Sequence, residues 1–327
     1  MLVLSRSDVE AVLDVEALVD ALAGAMSDLS AGAVSMPQRV GAVVKDPPGL
    51  LAVMPAFLPA REALTAKLVT LFPDNLDRPT HHALICCFDP RSGAALAVMD
   101  GTYITATRTA AGSALATRLL ARGDARIVAI VGTGVQARAH ITVLSKVWPV
   151  DRFLVAGRSR HAVDALVREM AETTSVPIGT AVSIEDAVRN ADVVCATTHA
   201  AAPVVRREWL RPGSHVNSVG YNSAGEGEVD GAMVHDAVVV VESRDAALAP
   251  PPAGAIELRL AIEAGLVTRD HIAAEIGEIV AGSQAGRTDD SQITLYKSVG
   301  VAAQDAAAAS LVLDAARALG LGVEIDM

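Results

Sequence analysis

Cysteine, aromatic side chains and long apolar runs are all scarce in this chain, and each scarcity removes a class of protein. Three cysteines in 327 residues, two of them adjacent at Cys86 and Cys87, supply neither a disulfide framework nor the spacing of a metal site. They read as buried strand thiols in a reducing compartment. With 3% aromatic residues, the apolar fraction of 51% rests largely on alanine and valine, and Trp148 and Trp209 read as packing residues rather than stacking platforms. No uninterrupted apolar segment approaches the roughly 20 residues that span a bilayer. The opening MLVLSRSDVEAV lacks a basic region followed by an apolar stretch and a cleavage site, so a cytoplasmic location is expected. Basic residues are also short, 27 against 38 acidic, and a net charge of −11 argues against nucleic acid or an anionic membrane as partner.

What is present is organised around Arg126 to His140, RIVAIVGTGVQARAH. Ile127 to Val131 is a β-branched run of the kind buried on both faces of a parallel sheet, and it stops at Gly132. Gly132, Gly134 and Ala137 fit G-x-G-x-x-G/A, in which the first glycine turns the chain, the second admits a pyrophosphate and the small third residue packs helix on strand. A helix beginning near Val135 would offer its unpaired N–H groups to the phosphates. A second apolar run, Phe153 to Ala156, follows at βαβ distance. Where an NAD site normally carries an acid for the ribose 2′-hydroxyl, this chain reads Gly157, Arg158, Ser159, Arg160. Two guanidiniums and a hydroxyl suit a 2′-phosphate, which favours NADPH, with NADH as the alternative.

The remaining pattern predicts an α/β protein of two domains. Ser7 is expected to cap a helix running towards Leu29. Between Gln38 and Gly101, short apolar runs separated by turn signals such as DPPG and DPRSG read as an antiparallel meander. A helix from about Thr102 to Ala121 leads into the fingerprint strand, after which helix and strand alternate as in a Rossmann doubly wound parallel sheet. Expected strands are Val176 to Val182, Asp192 to Thr197, His215 to Gly220 and Ala237 to Glu242. Helices are expected at His161 to Glu172, from Ser183, at Ala255 to Ala264 and at His271 to Ala281. A final alanine-rich helix is expected to return to the first domain. The predicted division is an α+β domain, 1–115 with 305–327, and a Rossmann dinucleotide-binding domain, 116–304.

Several motifs resemble those of the ornithine cyclodeaminase and mu-crystallin family over nearly the whole chain. They are PQR at Pro37 to Arg39, MPAF at Met54 to Phe57, AKLVTLFPDN at Ala66 to Asn75, MDGTYITATRTAA at Met99 to Ala111, GTGVQA, HVNSVG and TLYKSVG at Thr294 to Gly300. The resemblance assigns substrate binding and dimerisation to the first domain, and it implies a homodimer formed through the N-terminal sheet, a nicotinamide cofactor and a small imino or amino acid substrate. It places the substrate-carboxylate cations on Arg39, Lys67 and Arg108, and Lys67 and Arg108 lie in apolar surroundings, where a charge needs an anion to meet it. Cofactor contacts are expected from Gly132, Thr133, Gly134, Val135, Gln136, Ala137, Arg158, Ser159, Arg160, Thr197, Val219, Lys297 and Ser298. Lys67, Arg108 and Asn222 are the candidate catalytic residues, and no metal is expected.

Three positions depart from the cyclodeaminase pattern: Ala52 and Asn222 stand where such enzymes resemble one another in carrying carboxylates, and Lys297 stands where they read aspartate. An amide cannot act as a titrating base near neutral pH. Lys297 and the missing ribose acid resemble the mu-crystallin-like ketimine reductase branch of the family, which implies NAD(P)H-dependent reduction of cyclic α-ketimine carboxylates, of the Δ1-pyrroline-2-carboxylate or Δ1-piperideine-2-carboxylate type. The alternatives are an ornithine cyclodeaminase or alanine-type amino-acid dehydrogenase, and a non-catalytic cofactor-binding or ligand-binding protein on the same scaffold.

Overall fold

The computed structural model describes residues 1–221, 225–251 and 253–326. The chain opens with β1 (Leu2–Leu4), α1 (Arg6–Val12) and α2 (Val15–Ser30). The single helix expected from Ser7 is two helices. Ser5 caps the first through a reciprocal box with Asp8, Leu13 turns extended, and the Asp14 carboxylate takes the Ala17 N–H to start the second. A helical apolar period continues across this break, and only the capping chemistry of Asp14 reveals it.

The meander follows as β2 (Val40–Val44), β3 (Gly49–Leu58), β4 (Ala63–Leu71), β5 (His81–Phe88) and β6 (Ala95–Asp100), and α3 (Gly101–Leu120) closes this part of the chain. Next come β7 (Ile127–Val131), α4 (Val135–Val147), β8 (Arg152–Ala156), α5 (Arg160–Ala171), β9 (Ile178–Thr180), α6 (Ile184–Arg189) and β10 (Val193–Ala196). They are followed by β11 (His215–Ser218), α7 (Gly231–Asp236), β12 (Val238–Val241), α8 (Arg244–Ala247) and α9 (Ile256–Glu263). The run His271 to Ala281, expected as one helix, is β13 (Ile272–Glu275) followed by α10 (Ile276–Val280). Its alanines suit a helix, but pairing with β12, which makes β13 the edge of the sheet, overrides that weak local preference. The chain ends with β14 (Thr294–Lys297), α11 (Ala302–Leu319) and β15 (Val323–Glu324).

Two compact units result, Met1–Arg108 with Val301–Met327, and Thr109–Gly300. Both crossings fall earlier than residues 115 and 305. Because α3 runs unbroken through the first of them, no turn or composition change marks it.

The first unit carries a seven-stranded sheet in the order β15-β1-β6-β5-β4-β3-β2, antiparallel except where β1 lies parallel to β6. Helix α11 lies on β3 and β4 and against α2. Its residues Ala302 to Ala309 are all buried, since a helix of small side chains can approach a sheet closely. The second unit is an eight-stranded sheet in the order β13-β12-β14-β11-β10-β7-β8-β9, with every pair parallel. Its strands are valine-rich and buried, as a sheet covered on both faces requires. Successive strands run outward from β7 through β8 and β9, and the order reverses at β10. This is the topological switch point of a Rossmann fold, outside which ligands bind at the carboxyl ends of the strands.

Candidate active site

In the first unit, β4 alternates so that Ala63, Thr65 and Lys67 face inward, with Met54 and Ile85 opposite Lys67 on the neighbouring strands. Lys67 is 2% exposed, and an ammonium so placed must meet an anion. It does: Nζ lies 2.7 Å from Oδ2 of Asp305, in the first turn of α11. The other oxygen of Asp305 accepts from Nε of Arg108 at 2.9 Å, and Arg108 Nη1 donates to Gln304 Oε1 at 2.9 Å. One buried carboxylate thus bridges two buried cations and leaves the cluster with an excess of positive charge. The half-buried Arg39, just before β2, adds to it. Burial lowers the Lys67 pKa to about 8, and the neighbouring Arg108 and Arg39 push the same way against the opposing pull of Asp305. Burial alone would raise the Asp305 carboxyl, but Arg108 and Lys67 outweigh it and hold it below its ordinary value.

In the second unit, Gly132 ends β7 with φ +121°, where a Cβ would lie 2.7 Å from Thr197 Oγ1. Glycine is required there by both backbone and space. Thr197, at the end of β10, donates its hydroxyl to the Val131 carbonyl. Gly134 is the N-cap of α4 and makes no side-chain cap, so the first-turn N–H groups lack a side-chain acceptor. Ala137 is fully buried against the strand. Arg138 braces the turn by donating to the Thr133 carbonyl while paired with Glu169. Gln136 Oε1 is buried without a hydrogen-bond partner among the described residues. At the end of β8, Arg158 is exposed, and its side chain makes no hydrogen bond or ion pair among the described residues. Ser159 caps α5, and Arg160 pairs with Asp164 at 3.0 Å. This turn and this uncapped helix end fit the phosphates of a dinucleotide.

A second buried charged group sits at the carboxyl ends of β10, β11 and β14. Lys297 Nζ lies 3.0 Å from Glu257 Oε1 and donates to the Gly220 carbonyl at 2.9 Å and to Ser218 Oγ at 3.2 Å. Glu228 accepts from Thr198 N, Thr198 Oγ1, Ser218 Oγ and Gly220 N. Ser298 donates to Glu242, which also takes the N–H groups of Val299 and Gly300.

The structure thus gathers Lys67, Arg108 and Arg39 in one cluster, and Gly132, Thr133, Gly134, Val135, Gln136, Ala137 and Thr197 at one strand-turn-helix junction. Lys297 and Ser298 are engaged with protein carboxylates, and Val219, half-buried, directly precedes Gly220. Asn222 lies outside the described residues. Asp305, Gln304, Glu257 and Glu242 were not singled out from sequence, whereas Glu228 reads there as part of a solvated turn, with orientation of a strand end near the nicotinamide as the alternative. Asp305 carried a signal, since a lone charge within VGVAAQDAAAAS needs a partner as much as Lys67 does. The described residues contain no cluster of metal ligands.

A Rossmann unit with this glycine turn, joined to a sheet unit holding an excess of buried cations, defines a dinucleotide-binding protein with a site suited to a carboxylate. The chain belongs to the ornithine cyclodeaminase/mu-crystallin family, whose model matches residues 1–319. It is 36% identical over 304 residues to ketimine reductase mu-crystallin from Mus musculus, covering 91% of each chain. The structure of Thermococcus litoralis Δ1-pyrroline-2-carboxylate reductase in complex with NADH and L-proline matches with a TM-score of 0.94 and 36% identity, over 99% of this chain and 100% of that one. An archaeal alanine dehydrogenase dimer with bound NAD matches with a TM-score of 0.91 and 30% identity, over 100% and 99%.

Proposed function

We propose that this chain is an NAD(P)H-dependent oxidoreductase that reduces cyclic α-ketimine carboxylates of the Δ1-pyrroline-2-carboxylate or Δ1-piperideine-2-carboxylate type. The observation that carries the reading is the cation excess at Lys67 and Arg108, which Asp305 halves without cancelling. A monocarboxylate completes the charge balance, and the planar guanidinium of Arg108 suits it. When bound, the reduced nicotinamide supplies a hydride to the imine carbon. The protein's own work is to hold the carboxylate on Lys67, Arg108 and Arg39, to fix the ring against rotation, and to keep Lys67 protonated. The imine nitrogen takes its proton from water.

NADPH is the preferred cofactor in this reading, because the Arg158 guanidinium is exposed and unengaged among the described residues and the second strand end carries no acid. The protein works in the cytoplasm as a homodimer. The sheet face opposite α11 exposes Leu51 and Leu84, and the edge strand β2 exposes Val40 and Val43, an apolar surface that a second copy would cover. No described helix is long and apolar enough to cross a membrane.

Ala52 argues against cyclodeamination. It is buried on the Lys67 face of β3, where it contributes no carboxylate. The decisive experiment follows NADPH oxidation against Δ1-pyrroline-2-carboxylate, Δ1-piperideine-2-carboxylate and pyruvate with ammonia, and ammonia release from ornithine with NAD. Ketimine reduction with little ammonia release is expected. Faster turnover of pyruvate with ammonia would point to an alanine-type dehydrogenase, and conversion of ornithine to proline would sink the reading.

A further inference from the structure

Gly220, at the end of β11, has both of its peptide groups held by buried charged side chains. Its N–H donates to Glu228 Oε2 at 2.7 Å, and its carbonyl accepts from Lys297 Nζ at 2.9 Å. The same two side chains meet on Ser218, whose hydroxyl accepts from Lys297 and donates to Glu228. Behind them, Glu257 Oε1 pairs with Lys297 and accepts the backbone N–H of Glu228. Glu228, Glu257 and Lys297 are all at most 3% exposed. A Cβ on residue 220 would lie 2.1 Å from the Thr198 carbonyl oxygen and 2.3 Å from Glu228 Cδ, so the backbone passes where no side chain fits.

The group is contiguous with the cofactor turn. Gly132 packs on Thr197, and the next residue, Thr198, gives both its N–H and its hydroxyl to Glu228. Contacts therefore run from the fingerprint glycine through the end of β10 to Gly220. This is the carboxyl edge beside the switch point, where a Rossmann sheet receives its ligand. We infer that Glu228 and Lys297, with Glu257 as counter-charge, are positioning residues that clamp the backbone at Gly220 and thereby orient the nicotinamide half of the cofactor. The inference rests on the oxidoreductase reading but divides the labour within it. Gly132 to Ala137 and Arg158 anchor the phosphates, while the Gly220 clamp sets ring orientation and contributes little to affinity. Lys297 acts through Gly220 and does not itself touch the cofactor.

The test uses the full-length protein with NADPH. Glu228→Gln exchanges an acceptor oxygen for a donor facing other donors. The double variant Glu257→Gln/Lys297→Met removes the ion pair as a unit and leaves the Glu228 carboxylate with its own hydrogen-bond donors. In both, the Kd for NADPH from fluorescence titration should stay within about 3-fold of the parent. The emission of bound nicotinamide should move towards that of the free cofactor, and kcat should fall by roughly 10-fold to 100-fold, as expected when orientation is lost and binding is kept. Lys297→Arg should recover part of both signals. If Glu228→Gln fails to fold, the double variant decides. Unchanged emission and kcat in folded variants, or Kd rising in parallel with the fall in kcat, would overturn the clamp. Emission and Kd need no substrate, so a parent that reduces no ketimine would fail the activity reading while still testing the clamp.

Discussion

Two buried charged clusters, one in each unit, are built from the same residue types with opposite balances. Around Asp305, two cations share one carboxylate; around Lys297, one cation pairs with Glu257 and meets a second carboxylate, Glu228, only through the Ser218 hydroxyl. In the second cluster the extra negative charge is absorbed within the protein, because Glu228 accepts two backbone N–H groups and two hydroxyls. In the first, Asp305 is the acid that meets both Lys67 and Arg108, and Gln304 offers Arg108 only a neutral oxygen. Burial and charge alone therefore do not separate a ligand site from a structural knot. What separates them is whether neutral donors or acceptors of the chain itself have met the unbalanced charge.

The strongest way to break this contrast is Asp305→Asn, which leaves two buried cations without their carboxylate. A loss of about 3–5 kcal/mol is expected, as for other broken buried ion pairs, read as a lower Tm in calorimetry. L-proline should raise the Tm of this variant more than that of the parent, because its carboxylate replaces the missing one; equal shifts would mean that the cluster does not take a ligand anion. Next is Arg108→Ala, expected to cost about 2–4 kcal/mol of transition-state binding as a loss in kcat/KM. Methyl esters of the substrate should suffer a comparable loss, and esters that react as well as acids would refute the carboxylate site. A smaller effect is expected at the exposed Arg158. Its replacement by alanine should weaken NADPH by about 1–2 kcal/mol and leave NADH nearly unchanged, since a single solvated phosphate contact is worth less than a desolvated one; equal KM changes for the two cofactors would refute the 2′-phosphate assignment.

The subtlest test is pH. Lys67 has its pKa lowered to about 8, so its charge, and with it part of the carboxylate affinity, is present below that value and lost as pH rises through it. The kcat/KM profile should show an alkaline limb near pH 8, and Lys67→Arg should move that limb upward, since a guanidinium stays protonated. A limb that does not move would assign the titration to another group, such as the substrate imine.

Much of the molecule was legible because its signals were local. The β-branched run ending at Gly132 gave strand, turn and helix together, and the meander showed through its alternation and its turns. The misreadings arose where a local preference gave way to a partner distant in sequence. Ile272 to Glu275 became a strand because β12 lies beside it, and the break at Asp14 shows only in side-chain hydrogen bonding. At the site, the family resemblance pointed to Arg39, Lys67 and Arg108, and the apolar surroundings of Lys67 and Arg108 supported the reading for those two. Sequence missed the acids Asp305, Glu257 and Glu242, each of which meets a partner across a long stretch of chain, such as the 197 residues between Arg108 and Asp305, and it read Glu228 as a turn residue, with orientation of a strand end near the nicotinamide as the alternative. The thiols behave as their placement demands: Cys87 and Cys195 are buried, with pKa values pushed up to about 12, and are poor nucleophiles.

The alanine block of α11 sets a ceiling on side-chain size along the helix that delivers Asp305. Alanine is ordinarily the residue most readily exchanged on a helix. Yet from Ala306 to Ala309 each methyl group is fully buried, and every added carbon must displace a neighbour, at about 1–3 kcal/mol for an overpacked position. A comprehensive substitution library should therefore show this monotonous stretch among the least permissive in the chain, tolerating glycine and serine better than leucine, and drift there should be confined to the smallest residues.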